Sequence, residues 1–279
     1  MNRKLLALYG LKWNPFAPDV PADALHIPPR IDSFCRRVVQ LSAGGGFALV
    51  TGAPGTGKSA ALRILAERLA AQGEIKVGVI SRPQAGIADF YREIGDLFEV
   101  ELHPHNRWGG AKVLRQRWQA HIDRSLTRPV LIIDEAQEMQ SAVLAELRLL
   151  ASTRLDSQIL LTIVLAGDAR LADRLRSDDF LPLDSRIRVR LPIERADPEA
   201  LRDCLRHALR QAGAPTLITP EVIAALADHA QGNIRSMMIM ADNLLAAAAE
   251  QDAKQIDDGL FFALYAPAAN PKTGAGKQR

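Results

Sequence analysis

The chain has 279 residues, 48% of them hydrophobic and 24% charged, with a net charge of +3. That is enough apolar material for one large domain or two smaller ones, and the mildly basic balance permits a nucleic-acid partner without requiring one. Two cysteines, Cys35 and Cys204, stand outside any Cys/His cluster. No zinc site is therefore readable, and a reduced, cytoplasmic chain is the expectation. The apolar run at 5–8 is too short for a signal-peptide core, and no stretch of about 18 uncharged apolar residues exists to span a bilayer.

In chain order, residues 1–30 read as an irregular arm rich in proline (Pro15, Pro18, Pro21, Pro28, Pro29). A helix is expected at 31–41, with Asp32 and Ser33 available to cap it. Gly44, Gly45 and Gly46 break it, and 47–51 is a buried-strand candidate. A helix at 60–71, a strand at 75–80, a helix at 87–98, a loop at 99–106 and a basic helix at 110–126 follow. The fully apolar run 130–133 predicts a third strand. A helix at 142–153, a strand at 159–165, a short helix at 171–176 and an edge strand at 187–191 complete the alternation. Strands alternating with helices imply a doubly wound parallel sheet. After Pro192 the character changes. Helices at 198–212, 220–229 and 234–250, with no strand between them, predict a small helical lid domain. The expected divisions are thus an arm at 1–30, an α/β domain at 31–192, a helical domain at 193–266 and a disordered tail at 267–279.

Gly52-Ala53-Pro54-Gly55-Thr56-Gly57-Lys58-Ser59 matches the P-loop pattern, with a strand before it and a helix from Ala60 onward. Glycines let the backbone wrap closely around phosphates, and successive N–H groups at a helix N-terminus face the anion. Lys58 is expected to reach the β- and γ-phosphates and Ser59 to ligate Mg²⁺. The run 130–133 ends in Asp134 and Glu135. In such sheets this strand is expected to lie beside the P-loop strand, with its C-terminal end facing the site. Asp134 would hold the metal through its water shell, and Glu135 would orient and polarise the attacking water. The alternative is that Asp134 only caps the following helix.

Asp134-Glu135-Ala136-Gln137 resembles the DEAQ form of Walker B in ExeA/GspA-like AAA+ ATPases. Tyr9-Gly10-Leu11 with Asn14-Pro15-Phe16 is similar to their N-terminal signature. The resemblance runs from about Tyr9 to Leu245 and implies a P-loop NTPase of the AAA+ kind with a parallel-sheet core and a C-terminal lid, using ATP and Mg²⁺. It implies further roles. Asp168 stands where a sensor 1 residue belongs, though relatives more often carry Gln or Asn; its alternative is a loop carboxylate bonding backbone amides. Arg186, with Arg188 as runner-up, looks like an arginine finger acting on a neighbouring subunit; the alternative is edge-strand surface charge. Gly232-Asn233-Ile234-Arg235 resembles sensor 2, with Arg235 reaching the γ-phosphate in its own subunit. Trp13, Asn14, Pro15, Phe16 and Ile27 are candidates to line an adenine pocket.

Related chains include transposition ATPases such as TnsC, IstB and MuB. The resemblance therefore implies a homo-oligomer, ring or helical filament, that assembles on duplex DNA and regulates or recruits a transposase or integrase. ExeA/GspA-type secretion ATPases, which continue into a membrane span, and a slow nucleotide-gated adaptor are the alternatives. The end of this chain soon after the helical region, with no span, favours the DNA reading at this stage. Arg107, Lys112, Arg115 and Arg117, with Arg124 and Arg128 beyond them, form a basic stretch suited to a phosphate backbone, the alternative being a solvated helix face, and Trp108 and Trp118 between them could be core or contact residues. No helix-turn-helix or zinc-finger signature appears, so sequence-independent binding is expected.

Overall fold

The computed structural model describes residues 3–80, 82–100, 107–125, 127–153 and 157–265. The chain divides into two units, Pro21–Ala196 with Gly232–Arg235, and Met1–Val20 with Asp197–Gln231 and Ser236–Arg279. The strands are β1 (Gly46–Gly52), β2 (Ile75–Ile80), β3 (Arg128–Ile133), β4 (Ser152–Thr153), β5 (Gln158–Ile159), β6 (Thr162–Gly167) and β7 (Ile187–Ile193). The helices are α1 (Arg3–Tyr9), α2 (Pro29–Gly44), α3 (Lys58–Ala70), α4 (Ile87–Phe98), α5 (Arg107–Ser125), α6 (Ser141–Ala151), α7 (Ala169–Leu175), α8 (Leu181–Asp184), α9 (Pro198–Ala212), α10 (Pro220–His229), α11 (Ile234–Glu250) and α12 (Asp258–Tyr265).

The first unit is built on a parallel sheet of order β2-β3-β6-β1-β7, so β3, expected beside the P-loop strand β1, is separated from it by β6, which hydrogen-bonds both. Its central strands are apolar on both faces, as a parallel sheet covered on both sides requires. Phe47, Leu49, Leu131, Ile133, Ile163 and Leu165 point to one face and pack with Phe90, Ile94, Leu114, Trp118, Leu144 and Leu147 from α4, α5 and α6. Ala48, Val50, Val130, Ile132, Val164 and Ala166 point to the other, against Phe34, Cys35 and Val38 of α2 and Leu62, Leu65 and Leu69 of α3. The period-2 alternation of side chains divides each strand between these two cores. Trp118 is 1% exposed and meets Phe98 edge-to-face at 5.4 Å, so it is a core residue rather than a contact residue.

Several boundaries differ from expectation for identifiable reasons. The helix expected at 31–41 is α2, which begins at Pro29, whose fixed φ suits a first helical position, and has no side-chain cap. Asp32 instead pairs with Arg36 at 3.0 Å and Arg68 at 2.7 Å. The helix expected to reach 153 stops at Ala151, because Ser152 and Thr153 pair antiparallel with Ile159 and Gln158. Leu160 N–H bonds the Ala151 carbonyl at 2.8 Å, so the sheet strand starts only at Thr162.

The second unit is helical. Asp197 caps α9 by accepting from Ala200 N–H at 2.7 Å, and Thr219 caps α10 through Val222 N–H at 3.4 Å; Pro198 and Pro220 follow them directly. Leu201, Leu205 and Leu209 give α9 one buried face. Residues 1–20, expected as part of a separate irregular arm, count with this unit, and α1 is helical. Tyr9 Oη donates to the Ala253 carbonyl at 2.9 Å, Lys12 N–H to Ala212 at 3.0 Å, and Asn14 Nδ2 to Asp242 at 2.7 Å. Asn14 and Phe16, proposed from the sequence to line an adenine pocket, are buried here, with Asn14 Oδ1 accepting from Phe16 N–H at 3.0 Å. The tail at 267–279 lies outside the described residues.

Candidate active site

The site lies at the carboxyl ends of β1, β3 and β6, the end of an open α/β sheet where ligands bind. β1 runs into the loop 53–57 and α3 begins at Lys58. Gly55 and Gly57 hold φ of +80° and +103°, the left-handed region that favours glycine. Gly52 permits a close crossing: a Cβ there would lie 2.5 Å from the Ile193 carbonyl oxygen. Thr56 Oγ1 donates to the Ala53 carbonyl at 2.8 Å. Lys58 is 5% exposed, and its ammonium donates to the Gly52 and Ala53 carbonyls at 3.0 and 3.3 Å. The cation is thus held inside the loop, where a polyphosphate would meet it.

Opposite, Ser59 Oγ donates to Asp134 Oδ2 at 2.6 Å. The two residues expected to share a metal are in direct contact although 75 positions separate them. Their hard oxygen donors suit Mg²⁺, which keeps several waters and takes one or two protein oxygens plus phosphates. Among the described residues no cluster of three His, Cys, Asp or Glu could hold a metal alone. The donor set fits a nucleotide-borne metal, which when bound would neutralise phosphate charge. Asp134 Oδ1 accepts the Glu135 N–H at 2.9 Å, and Glu135 itself adopts φ +51°. A left-handed non-glycine backbone is uncommon and marks functional sites.

Asp168 follows β6. Its carboxylate accepts from Arg170 N–H at 2.9 Å and caps α7, and it pairs with the Arg170 guanidinium at 2.8 Å. The alternative weighed for it in the sequence, a carboxylate bonding backbone amides, is therefore present. Its carboxyl sits below the ordinary range, chiefly through the Arg170 hydrogen bond, opposed by desolvation and helped by Arg170 and Lys58 charge. A lowered folded value means that its stabilisation is present above the ordinary carboxylate range and lost as pH falls through the folded value. Asp168→Ala is therefore expected to lower stability by about 0.5–2 kcal/mol at neutral pH. Thermal melts across pH should show that deficit shrinking below about pH 4; a deficit unchanged at pH 3 would remove the charge contribution.

Two residues that the sequence did not single out as acting here complete the site. Gln137 Nε2 donates to Glu135 Oε2, and Gln137 Oε1 accepts from Asp168 N–H at 3.2 Å. Asn233 Nδ2 donates to the Pro54 carbonyl at 3.2 Å, and Arg235 N–H to the Gly55 carbonyl at 3.1 Å. The Gly232–Arg235 segment thus bonds the phosphate loop directly, while the Arg235 side chain is exposed. Gly232, at φ +81°, brings the segment close enough to Arg195 and Ala196 that a Cβ would collide.

Arg186 is half-buried and donates to the Pro182 carbonyl; Arg188 is exposed on β7. Lys112 and Arg117 are exposed on α5, whereas Arg115 donates to the Leu149 carbonyl at 2.8 Å and ties α5 to α6. The side chains of Arg107 and Trp108 lie outside the described residues.

A glycine cradle with a buried lysine, facing a serine–aspartate pair and a second acid across a β2-β3-β6-β1-β7 sheet, defines a P-loop nucleotide-binding domain of the AAA+ class. A family model for the AAA domain matches residues 41–175. General secretion pathway protein A of Aeromonas hydrophila is 30% identical over 259 residues, covering 90% of this chain and 46% of that protein. The chain thus spans about half the length of that curated relative. Among solved structures, Cdc6p from Pyrobaculum aerophilum superposes with a TM-score of 0.71 at 16% identity over 87% of this chain and 67% of that one. The Aeropyrum pernix ORC1 protein in complex with DNA gives 0.67 at 18%, over 89% and 67%. The Thermotoga maritima RuvB Holliday junction branch migration motor gives 0.57 at 16%, over 89% and 72%. These likenesses show the fold. Together with the AAA-domain match and the similarity to the secretion protein, they support an AAA+ ATPase of the ExeA/GspA-like kind.

Proposed function

We propose that this chain is a Mg²⁺-dependent ATPase that works as a cytoplasmic homo-oligomer on duplex DNA, where ATP-driven assembly recruits or activates a transposase or integrase. Lys58 would hold the β- and γ-phosphates, Ser59 and Asp134 the metal, and Glu135 the attacking water, with Arg235 reading the γ-phosphate; Asp168, an ionised acceptor bonded to Arg170, would act there only through its loop. One observation carries the assembly. The arginines bonded around the acid pair are already committed: Arg170 to Asp168 and Glu138, and Arg174 to the Gln137 and Met139 carbonyls. An arginine from a neighbouring copy would supply the transition-state charge, with Arg186, itself bonded to the Pro182 carbonyl, and the exposed Arg188 as the two candidates.

The DNA part is supported by the exposed Lys112 and Arg117 on α5, and by a fold neighbour solved with DNA. The 30% identity to General secretion pathway protein A favours a second reading, a secretion-type ATPase. A third, a slow nucleotide-gated adaptor, would hydrolyse little with or without DNA.

Sizing the protein with a non-hydrolysable ATP analogue, with and without duplex DNA, tests the first reading. A large species that requires both is expected, and a persistent monomer with DNA present would overturn it. ATP-dependent assembly with no DNA affinity would instead favour the secretion reading. Neutralising Lys112 and Arg117 together should weaken duplex binding uniformly across sequences and reduce the salt slope by about 2 units. Undiminished binding would place the DNA surface elsewhere.

A further inference from the structure

We propose that Gln137 is a positioning residue for hydrolysis, its carboxamide clamping the Glu135 carboxylate to the carboxyl end of β6. The inference rests on the reading of Glu135 as the group that orients water.

Gln137 is 9% exposed, a buried polar side chain with both ends engaged. The Asp168 backbone N–H can only donate, so the atom facing it at 3.2 Å is Oε1. That leaves the NH₂ group toward Glu135 Oε2, an obligate acceptor when ionised, so the partners at both ends agree on one orientation of the amide. A carboxamide supplies a donor on one side and an acceptor on the other at this length. Glutamate would set a second carboxylate against Glu135, and methionine would satisfy neither end.

The surroundings hold the clamp in place. Arg174 donates to the Gln137 carbonyl at 2.8 Å, fixing its backbone. Gly167 leaves the space the amide occupies: a Cβ there would lie 2.5 Å from Gln137 Oε1. The bonds of Gln137 run to Glu135, Asp168 and Arg174, and the cradle's own bonds run among Gly52, Ala53, Thr56 and Lys58. Loss of the clamp should therefore change turnover and leave nucleotide affinity alone. It also ties Glu135 to the Asp168 loop, so a shift of that loop reaches the acid through one side chain.

The test compares Gln137→Met, which loses both ends, with Gln137→Glu, which keeps the acceptor toward Asp168 N–H and loses the donor toward Glu135. Both variants are expected to lose tenfold or more in kcat with the Mg-ATP dissociation constant within twofold, alongside the small drop in melting temperature that unpaired buried groups cause. Three results would overturn the proposal. Both Gln137 variants could turn over within twofold of the parent. The Met variant alone could be slow, which would remove the donor role. Or kcat, affinity and melting temperature could fall together, as in a purely structural role. Glu135→Gln run alongside separates the two readings. If it turns over normally, the assignment of Glu135 fails; if it is inactive while the Gln137 variants are active, only the clamp fails.

Discussion

Glu135→Gln is expected to bind Mg-ATP within about threefold of the parent while losing at least about 10²-fold in turnover, the scale of a positioned general base. The geometry supports this separation. Glu135 takes no part in the hydrogen bonds that shape the cradle: its side chain bonds Gln137, its N–H Asp134, and its carbonyl accepts from Glu138 N–H. Glutamine keeps the volume and one carbonyl acceptor but cannot take a proton or carry charge toward the water. Steady-state phosphate release and a labelled-nucleotide titration on the same preparation check it. Parental turnover would remove Glu135 from the chemistry.

Lys58→Ala should do the reverse and act first on binding. The ammonium is buried, and it is fixed by the Gly52 and Ala53 carbonyls at 3.0 and 3.3 Å. Charge-assisted hydrogen bonds contribute about 1.5–3 kcal/mol each, so losing the cation should weaken Mg-ATP affinity by roughly 10- to 100-fold or more. The two carbonyls also lose their donor, so the unliganded protein should melt lower. Arginine should not restore binding, because a planar fork does not fill the place of a compact ammonium. Calorimetric titration of Lys58→Ala and Lys58→Arg measures both effects; an affinity within threefold of the parent in either would contradict the placement of this lysine.

Much of the fold was legible because the signals were local. Helices at 87–98, 198–212, 220–229 and 234–250 and the strand at 75–80 occur at the expected bounds. They combine clear periodicity with sharp ends: Gly86 before α4, proline at the first position of α9 and α10, and a left-handed Gly213 after α9. The cradle and the acid pair were legible for the same reason, since a motif encodes its own geometry. What was missed depends on partners distant in the chain. The α6 boundary was set by the pairing of Ser152 with Ile159. Helix α1 was hidden by the prolines that follow it, and α12 by its nearness to the polar tail. Asp32 was read as a cap and is an ion-pair partner of Arg68 on another helix. Asn233 reaches Pro54 across 179 positions and Gln137 reaches Asp168 across 31. No window of sequence shows such contacts.

The order of strands carries one more consequence. β6 lies between β1 and β3, so two inter-strand steps, roughly 10 Å in all, separate the strand that ends in the glycine loop from the one that ends in the acids. That interval is set by backbone hydrogen bonding and not by any side chain, and so behaves as a built-in gauge. Repacking either apolar face can soften the molecule without altering the gauge, whereas a register slip of β6 would leave every catalytic group intact and aimed at the wrong place.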